Sequence, residues 1–206
     1  MKINLEKAGK RYNSEWVYRA FSFEFTSGYK YAITGPNGSG KSTLLQSIGG
    51  STLINEGSIT YTNNQNKLIP DSSVFKYISI AAPYLELVEE MSLLEFLQLH
   101  HQLKGWRPDL DTKSIISILG LTHATQKQVR YFSSGMKQRV KLAQAIFSDV
   151  EVILLDEPNT NLDLDGIALY HSLVKDYCAE KLVIVSSNDK NEYDFCEHII
   201  DINQYK

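Results

Sequence analysis

Only two cysteines, Cys178 and Cys196, occur in the 206 residues; they form no CxxC pair and stand at no zinc-finger spacing from a histidine. A disulfide framework and a cysteine-based metal site are thereby excluded, and two free thiols point to a reducing compartment. Long apolar runs are missing as well, since no segment approaches the roughly 20 residues that a membrane-spanning helix needs. The amino-terminal Met1-Lys2-Ile3-Asn4-Leu5-Glu6-Lys7 has no apolar core of signal-peptide type. A cytoplasmic chain is expected, one that reaches a membrane only through a partner. Positive charge is not in excess either. With 21 Lys+Arg against 24 Asp+Glu the net charge is −3, so the field that non-specific nucleic-acid binding draws on is absent and no nucleic-acid partner is expected. The remaining composition, 43% apolar and 22% charged, is ordinary for a folded domain and leaves no room for a disordered or collagen-like chain.

The pattern along the chain predicts an α/β protein. Lys2–Leu5, Trp16–Phe25 and Tyr29–Ile33 are β-rich runs separated by turn signals at Gly9, Asn13-Ser14 and Ser27-Gly28, which predicts antiparallel strands. A further short strand fits Glu56–Tyr61, and the polar stretch 62–73 reads as a surface hairpin loop. Ser92-Leu93-Leu94-Glu95 has capping-box spacing and opens a helix that ends before Gly105 and Pro108. A second helix fits Thr112–Leu119, and a third starts near Ser134 with Met136, Val140, Ala143 and Phe147 on one face. Residues 84–135 therefore read as a helical lobe inserted in an α/β core, the whole forming a single domain over 1–206. Val150–Leu155 and Leu182–Val185 are continuous apolar runs of the kind buried on both faces of a parallel sheet. His100 and His101 are adjacent, so they point to different sides of their helix and form no metal pair. Trp16, Trp106 and the 12 tyrosines are too scattered for a nucleic-acid stacking platform.

Chemistry concentrates at two places. Gly35-Pro36-Asn37-Gly38-Ser39-Gly40-Lys41-Ser42 satisfies G-x-x-x-x-G-K-[ST] and stands between a predicted strand, Tyr31–Thr34, and a predicted helix that begins Lys41-Ser42-Thr43. Glycines let backbone N–H groups wrap a triphosphate, and the helix adds the positive end of its dipole. Lys41 suits the β- and γ-phosphates, and the Ser42 hydroxyl suits Mg²⁺. The second place is Val152-Ile153-Leu154-Leu155-Asp156-Glu157, a buried strand delivering two acids at its carboxyl end, where open α/β sheets bind ligands. Asp156 is the candidate Mg²⁺ holder, and Glu157 the candidate that polarises the attacking water.

With these motifs in place the chain resembles the ATP-binding cassette (ABC) ATPases over nearly its whole length. Tyr131-Phe132-Ser133-Ser134-Gly135-Met136-Lys137-Gln138-Arg139 looks like the family signature, with Phe132, Ser133 and Gly135 matching and Ser134 and Met136 replacing the usual glycine and glutamine. The resemblance implies a P-loop core with a parallel sheet, an antiparallel β subdomain and the helical lobe. It implies that Ser133 and Gly135 face ATP held by a second copy of the chain, although Ser133-Ser134 is also an ordinary helix cap. Tyr12 looks like the aromatic that stacks on adenine. Asn161-Leu162-Asp163 looks like the loop by which each subunit senses the other's site, and Asp163 is equally suited to starting a helix.

Two departures fall at positions the family uses for hydrolysis. Counting back from Met91-Ser92, the family's glutamine belongs at or near Pro83, and proline has no side-chain oxygen for Mg²⁺ or water. Asn188, in Val185-Ser186-Ser187-Asn188-Asp189, stands where the family carries a histidine; asparagine donates a hydrogen bond but carries no proton's charge. ATP binding with Mg²⁺ is expected, and hydrolysis at a lowered rate. The resemblance implies an ATPase subunit of a transporter, dimeric with ATP and docked on separate membrane-spanning subunits. Pro83, Tyr84, Leu85 and Leu87, with Glu86, Glu89 and Glu90, form a candidate docking patch, unless these side chains pack the lobe on the core. The alternatives are a soluble ABC ATPase acting on a protein or RNA assembly, and an ATP-gated clamp with little hydrolysis.

Overall fold

A computed structural model describes residues 1–206. β1 (Lys2–Tyr12) and β2 (Glu15–Thr26) form an antiparallel hairpin that turns at Asn13, whose φ of 54° is a left-handed value asparagine tolerates. Gly9 was expected to end a strand, but β1 runs through it. The irregularity is absorbed as a register shift between Glu6 and Gly9 and a φ of 46° at Lys7, the signature of a bulge. Strand β3 (Lys30–Thr34) corrects a second expectation, because Tyr29–Ile33 was read as antiparallel and β3 instead pairs parallel with two other strands.

After β3 the chain forms α1 (Lys41–Ile48), then β4 (Glu56–Thr62) and β5 (Leu68–Ile69), which complete an antiparallel sheet in the order β2-β1-β4-β5. The polar loop between β4 and β5 is pinned by Asn63, whose Oδ1 accepts from the Gln65 and Lys67 backbone amides at 2.9 and 3.0 Å. β6 (Ile78–Ala81), too short to stand out in the sequence, leads to α2 (Leu93–Lys104), α3 (Thr112–Ile118) and α4 (Ser134–Ile146). Ser92 caps α2 as expected: its hydroxyl accepts from the Glu95 amide, and the Glu95 carboxylate accepts from the Ser92 amide. β7 (Val152–Asp156), α5 (Leu164–Tyr177), β8 (Leu182–Ser186) and β9 (His198–Asp201) complete the chain. The parallel sheet has the order β6-β7-β8-β3-β9. Strands β5, β6 and β9 were not anticipated, β5 falling inside the stretch 62–73 that read as loop, and α5 was foreseen only in the fitness of Asp163 to start a helix.

Alternation along β7 and β8 explains why both are buried throughout. Val152, Leu154, Leu182 and Ile184 point into a core shared with α1 and the antiparallel sheet. Ile153, Leu155, Val183 and Val185 point the other way, into a core built with α2 to α5. The lobe helices and the sheet face thus belong to one apolar cluster.

His100 packs in that lobe, as a structural residue. Its ring stacks on Trp106 with centroids 4.6 Å apart, and its nitrogens meet Ser148 Oγ at 2.8 Å and Gln144 Nε2 at 3.1 Å. Burial, aided by the charges of Lys104 and His101, pulls its pKa down to about 4, so the folded protein holds it neutral. The unfolded chain protonates it near its ordinary 6.5. Below that pH the unfolded state binds the extra proton, so stability rises with pH between about 4 and 6.5 and is lost on acidification through that window. Urea titrations at pH 7 and pH 4.5 are expected to differ by on the order of 2 kcal/mol more in the wild type than in His100→Gln. Equal pH dependence in the two proteins would remove this role from His100.

Candidate functional site

Three neighbouring strands end side by side, and each ends in chemistry. Asp156 closes β7 opposite Ser186 of β8, and Ile33 of β3 lies on the other flank of Ser186. The phosphate loop leaves the end of β3 and enters α1. Its bends are glycine-dependent at two points above all. Gly35 has φ 145°, and a Cβ there would lie 2.8 Å from Ser39 Oγ; Gly40 has φ 96°, and a Cβ would lie 2.3 Å from Val17 Cγ1. Lys41 is almost completely buried, and its ammonium donates to the Gly35 carbonyl at 2.9 Å and the Pro36 carbonyl at 3.2 Å. Those two carbonyls hold the charge at the centre of the loop.

Tyr12, Val17, Asn37, Gly38, Ser39, Gly40, Lys41, Ser42, Thr43 and Glu157 line one cavity of about 310 Å³. The expected residues from three separate segments are therefore brought together. Tyr12 is half exposed at its rim, with the Lys10 ammonium 4.9 Å from the ring centroid. Asn188 lies in an adjoining cleft with Asn37 and Glu157, and its Nδ2 donates to Asn37 Oδ1 at 3.1 Å. Gly35 and Pro36 hold Lys41 without lining the cavity.

Asp156 is the electrostatic centre. Burial raises its pKa above the usual carboxylate range, opposed by the neighbouring Ser42 and Ser186 hydroxyls and Lys41. Its Oδ1 is fully buried without a hydrogen-bond partner, and so is Ser186 Oγ. A buried carboxylate oxygen without a donor is costly, and a cation resolves it. Hard oxygen donors, with one carboxylate beside a hydroxyl, suit Mg²⁺, which keeps several waters and takes few protein ligands. Glu157 follows at φ 43°, a left-handed value that a glutamate adopts only when its surroundings impose it. Its amide donates to the Ser186 carbonyl at 2.9 Å, and Glu192, buried behind it, accepts from the Asn159 amide at 2.7 Å.

Ser133, Gly135 and Asp163 stand apart from this cavity within the chain. Ser133 caps α4, its hydroxyl accepting from the Met136 amide at 3.2 Å, and remains exposed. A Cβ on Gly135 would lie 3.1 Å from the Asn161 carbonyl. Asp163 caps α5 by accepting from the Gly166 amide at 2.8 Å, and it pairs with Arg139 at 3.2 Å. Gln138 Nε2 donates to the Pro158 carbonyl at 2.8 Å, so the start of α4 is tied to the loop that carries Glu157. Several contributors were missed in the sequence: Val17, Ser186, Asn159 and Glu192. Only Ser186 left a signal there, as the polar end of an apolar strand.

The loop geometry separates two glycine substitutions. Gly40→Ala must displace Val17, whereas Gly38→Ala, at φ 77°, meets nothing within 4 Å. By calorimetry Gly40→Ala is expected to weaken nucleoside triphosphate binding more than ~10-fold, and Gly38→Ala only by the few-fold that strain of roughly 1 kcal/mol gives. Equal losses would show that steric fit to Val17 does not shape the loop.

Comparison with known proteins agrees with the geometry. The family model described as "ABC transporter" matches residues 18–160. An ABC transporter ATP-binding protein of Bacillus subtilis, YybJ, which is uncharacterised, is 32% identical over 203 residues, covering 98% of this chain and 91% of the relative. The cytochrome c biogenesis ATP-binding export protein CcmA of Xylella fastidiosa is 33% identical over 162 residues, covering 79% of this chain and 72% of the relative. Among solved structures, a dimeric ABC transporter cassette, MJ0796, superposes with a TM-score of 0.82 at 25% identity, covering 97% of this chain and 94% of that one. The chain belongs to the ABC transporter family, as one of its ATP-binding subunits.

Proposed function

We propose that this chain binds and hydrolyses ATP to drive a membrane transporter, and that two copies close around the nucleotide. The observation that carries the proposal is the buried, unpartnered Asp156 oxygen beside Ser42 and the phosphate loop, with Glu157 next in the chain. Residues 1–206 act as a single cassette in this reading, with 84–135 as its helical lobe. The loop amides from Asn37 to Thr43 hold the phosphates, Lys41 exchanges its two carbonyls for the β- and γ-phosphate oxygens, and Tyr12 stacks on adenine. Mg²⁺ would be held by Ser42 and, through water, Asp156, and would neutralise charge on the β- and γ-phosphates. Glu157 accepts a proton from water as the water oxygen bonds to the γ-phosphorus. The bridging P–O bond breaks toward ADP, and phosphate is released. Asn188 stands on the γ-phosphate side through Asn37 and donates a hydrogen bond there.

One chain has a loop and a signature that do not meet, which favours completion by a second copy. Its Ser133 and Gly135, at the positive end of α4, would cover the ATP, and its Asp163 would report closure through Arg139. MJ0796, itself a dimeric cassette, supports this arrangement. No helix of the chain is long and apolar enough to cross a membrane. In this reading separate subunits supply the spanning part, and this one docks at their inner face. The candidate docking patch is a groove of about 420 Å³ at Pro83, Leu85, Glu86, Leu87, Glu89 and Glu90 with Lys137 and Lys141, and Leu87, largely buried, joins its floor to the lobe core.

Steady-state ATPase assays test the reading. Glu157→Gln is expected to retain ATP affinity, accumulate an ATP-bound dimer by light scattering, and turn over ~10²–10³-fold more slowly than the wild type. A wild type no faster than Glu157→Gln would leave only an ATP-gated clamp. Purification from detergent-solubilised membranes should bring down a multi-spanning protein; recovery with ribosomes or without any partner would replace the transporter by the soluble alternative.

A further inference from the structure

Glu157 lines both the phosphate-loop cavity and the adjoining cleft of about 300 Å³, and the lining of that cleft also includes Asn159 and Glu192. Residues 157–160 form a tight turn, with Pro158 at its second position and the Thr160 amide donating to the Glu157 carbonyl at 3.1 Å. Proline has no N–H, so the turn has three amides to satisfy. The Thr160 amide closes the turn, and the Glu157 amide reaches the Ser186 carbonyl at 2.9 Å. The Asn159 amide, which neither bond uses, donates to Glu192 Oε1 at 2.7 Å. A turn amide of this kind is usually left to water; here it meets the carboxylate of a residue only 5% exposed, and a buried charge is costly unless its bonds hold it. The Asn159 carboxamide supplies no second hold, since both its polar atoms are buried without a partner. Glu192 is itself fixed. Asp189 Oδ1 caps its short helical turn by accepting from the Asn191 amide at 2.9 Å, and the Glu192 carbonyl accepts from the fully buried Tyr170 hydroxyl at 2.8 Å.

We propose that Glu192 is a positioning residue for the hydrolytic step: its buried carboxylate, braced from α5 by Tyr170, holds the turn after Glu157 and so sets where the Glu157 carboxylate stands. This rests on the ATPase reading and deepens it. Glu157 sits at φ 43°, a value that relaxes unless the surroundings impose it. Ser186 holds the chain at the Glu157 amide and Glu192 holds it two residues on, so the Glu157 side chain leaves the backbone between two fixed points. Such fixing matters to rate, because a misplacement of about 1 Å in a reacting group can cost ~10²-fold. In this role Glu192 stays clear of the nucleotide. What the reaction draws from it is reach and a lone pair, not charge.

The test uses the full chain and three substitutions at one position. Glu192→Gln keeps the length and an acceptor oxygen, Glu192→Asp keeps the charge but is one methylene short, and Glu192→Ala removes the hold. In steady-state kinetics Glu192→Ala is expected to lower kcat about 10-fold and Glu192→Asp about 5-fold, with KM changed less than about 2-fold, while Glu192→Gln stays within about 3-fold of the wild type. ATP affinity by calorimetry should be unchanged in all three. In the nucleotide-free protein, hydrogen exchange of the Asn159 amide followed by NMR should quicken about 10-fold in Glu192→Ala and Glu192→Asp and stay near the wild-type rate in Glu192→Gln. Added to Glu157→Gln, Glu192→Ala should cost less than about 2-fold more, because its effect passes through Glu157. Wild-type kcat in all three variants overturns the inference, and so does a Glu192→Gln as slow as Glu192→Asp, which would make charge the property that counts. A loss of ATP affinity as large as the loss of kcat, or a further loss of about 10-fold in the Glu157→Gln background, marks a packing role and overturns it too. Should Glu192→Ala fail to fold, the Gln and Asp variants decide between reach and charge by themselves. A wild type no faster than Glu157→Gln removes hydrolysis and this inference with it, whereas the other outcomes strike the inference alone.

Discussion

The register of β7, β8 and β3 at their carboxyl ends is the constraint on which the rest depends. Asp156 pairs across to Ser186, and Ser186 to Ile33, so a carboxylate, a hydroxyl and the mouth of the phosphate loop form one row without any side-chain network to hold them. Shifting one strand by a residue would turn each of these side chains to the opposite face. The two apolar cores prevent that shift, because the same slip would exchange Ile153 and Leu155 for Val152 and Leu154 between them. Burial on both faces therefore fixes chemistry at the edge. The Asp156 oxygen left unpartnered there is a local cost that the surrounding packing sustains.

The sequence carried the elements whose signal is local. A glycine pattern between strand and helix, a capping box at Ser92 and two buried β-branched runs each announce themselves within a few residues, and each is found where expected. Elements defined by their neighbours did not. β6 and β9 are four residues each and become strands because β7 and β3 offer them an open edge. Tyr29–Ile33 looked like a third member of the amino-terminal meander, since an apolar run does not state the direction of its partner. Gly9 looked like a turn because a bulge and a turn share the same residue preference.

The two segments assigned to the proposed nucleotide site are also mechanically joined within one chain. Gln138 reaches the Pro158 carbonyl, and Arg139 reaches Asp163, so the second turn of α4 grips both ends of segment 158–163, which begins directly after Glu157. The Arg139 pair lies partly in water and adds little to stability, but its geometry ties a helix start to a loop. Displacing α4 by a turn's fraction would pull on residues 158–163. In the proposed dimer the surface facing a second chain and the carboxylate facing the cavity would be coupled through these two hydrogen-bonded contacts, with no need for a long path.

Strain at Glu157 gives that coupling its direction. A φ of 43° costs on the order of 1 kcal/mol for a residue with a Cβ, and the segment would relax if nothing opposed it. What opposes it comes from both sides: the Ser186 carbonyl holds the Glu157 amide, and Glu192 holds the Asn159 amide from behind while its own backbone carbonyl accepts from the Tyr170 hydroxyl at 2.8 Å. Burial, with the charges of Asp189 and Glu157, raises the Glu192 pKa, opposed by the Ser187 hydroxyl and by the same Asn159 amide that the carboxylate holds. A turn held in a strained state rests on the few hydrogen bonds that oppose its relaxation. In the proposed reaction a γ-phosphate on one side and a second chain on the other would both act on that balance.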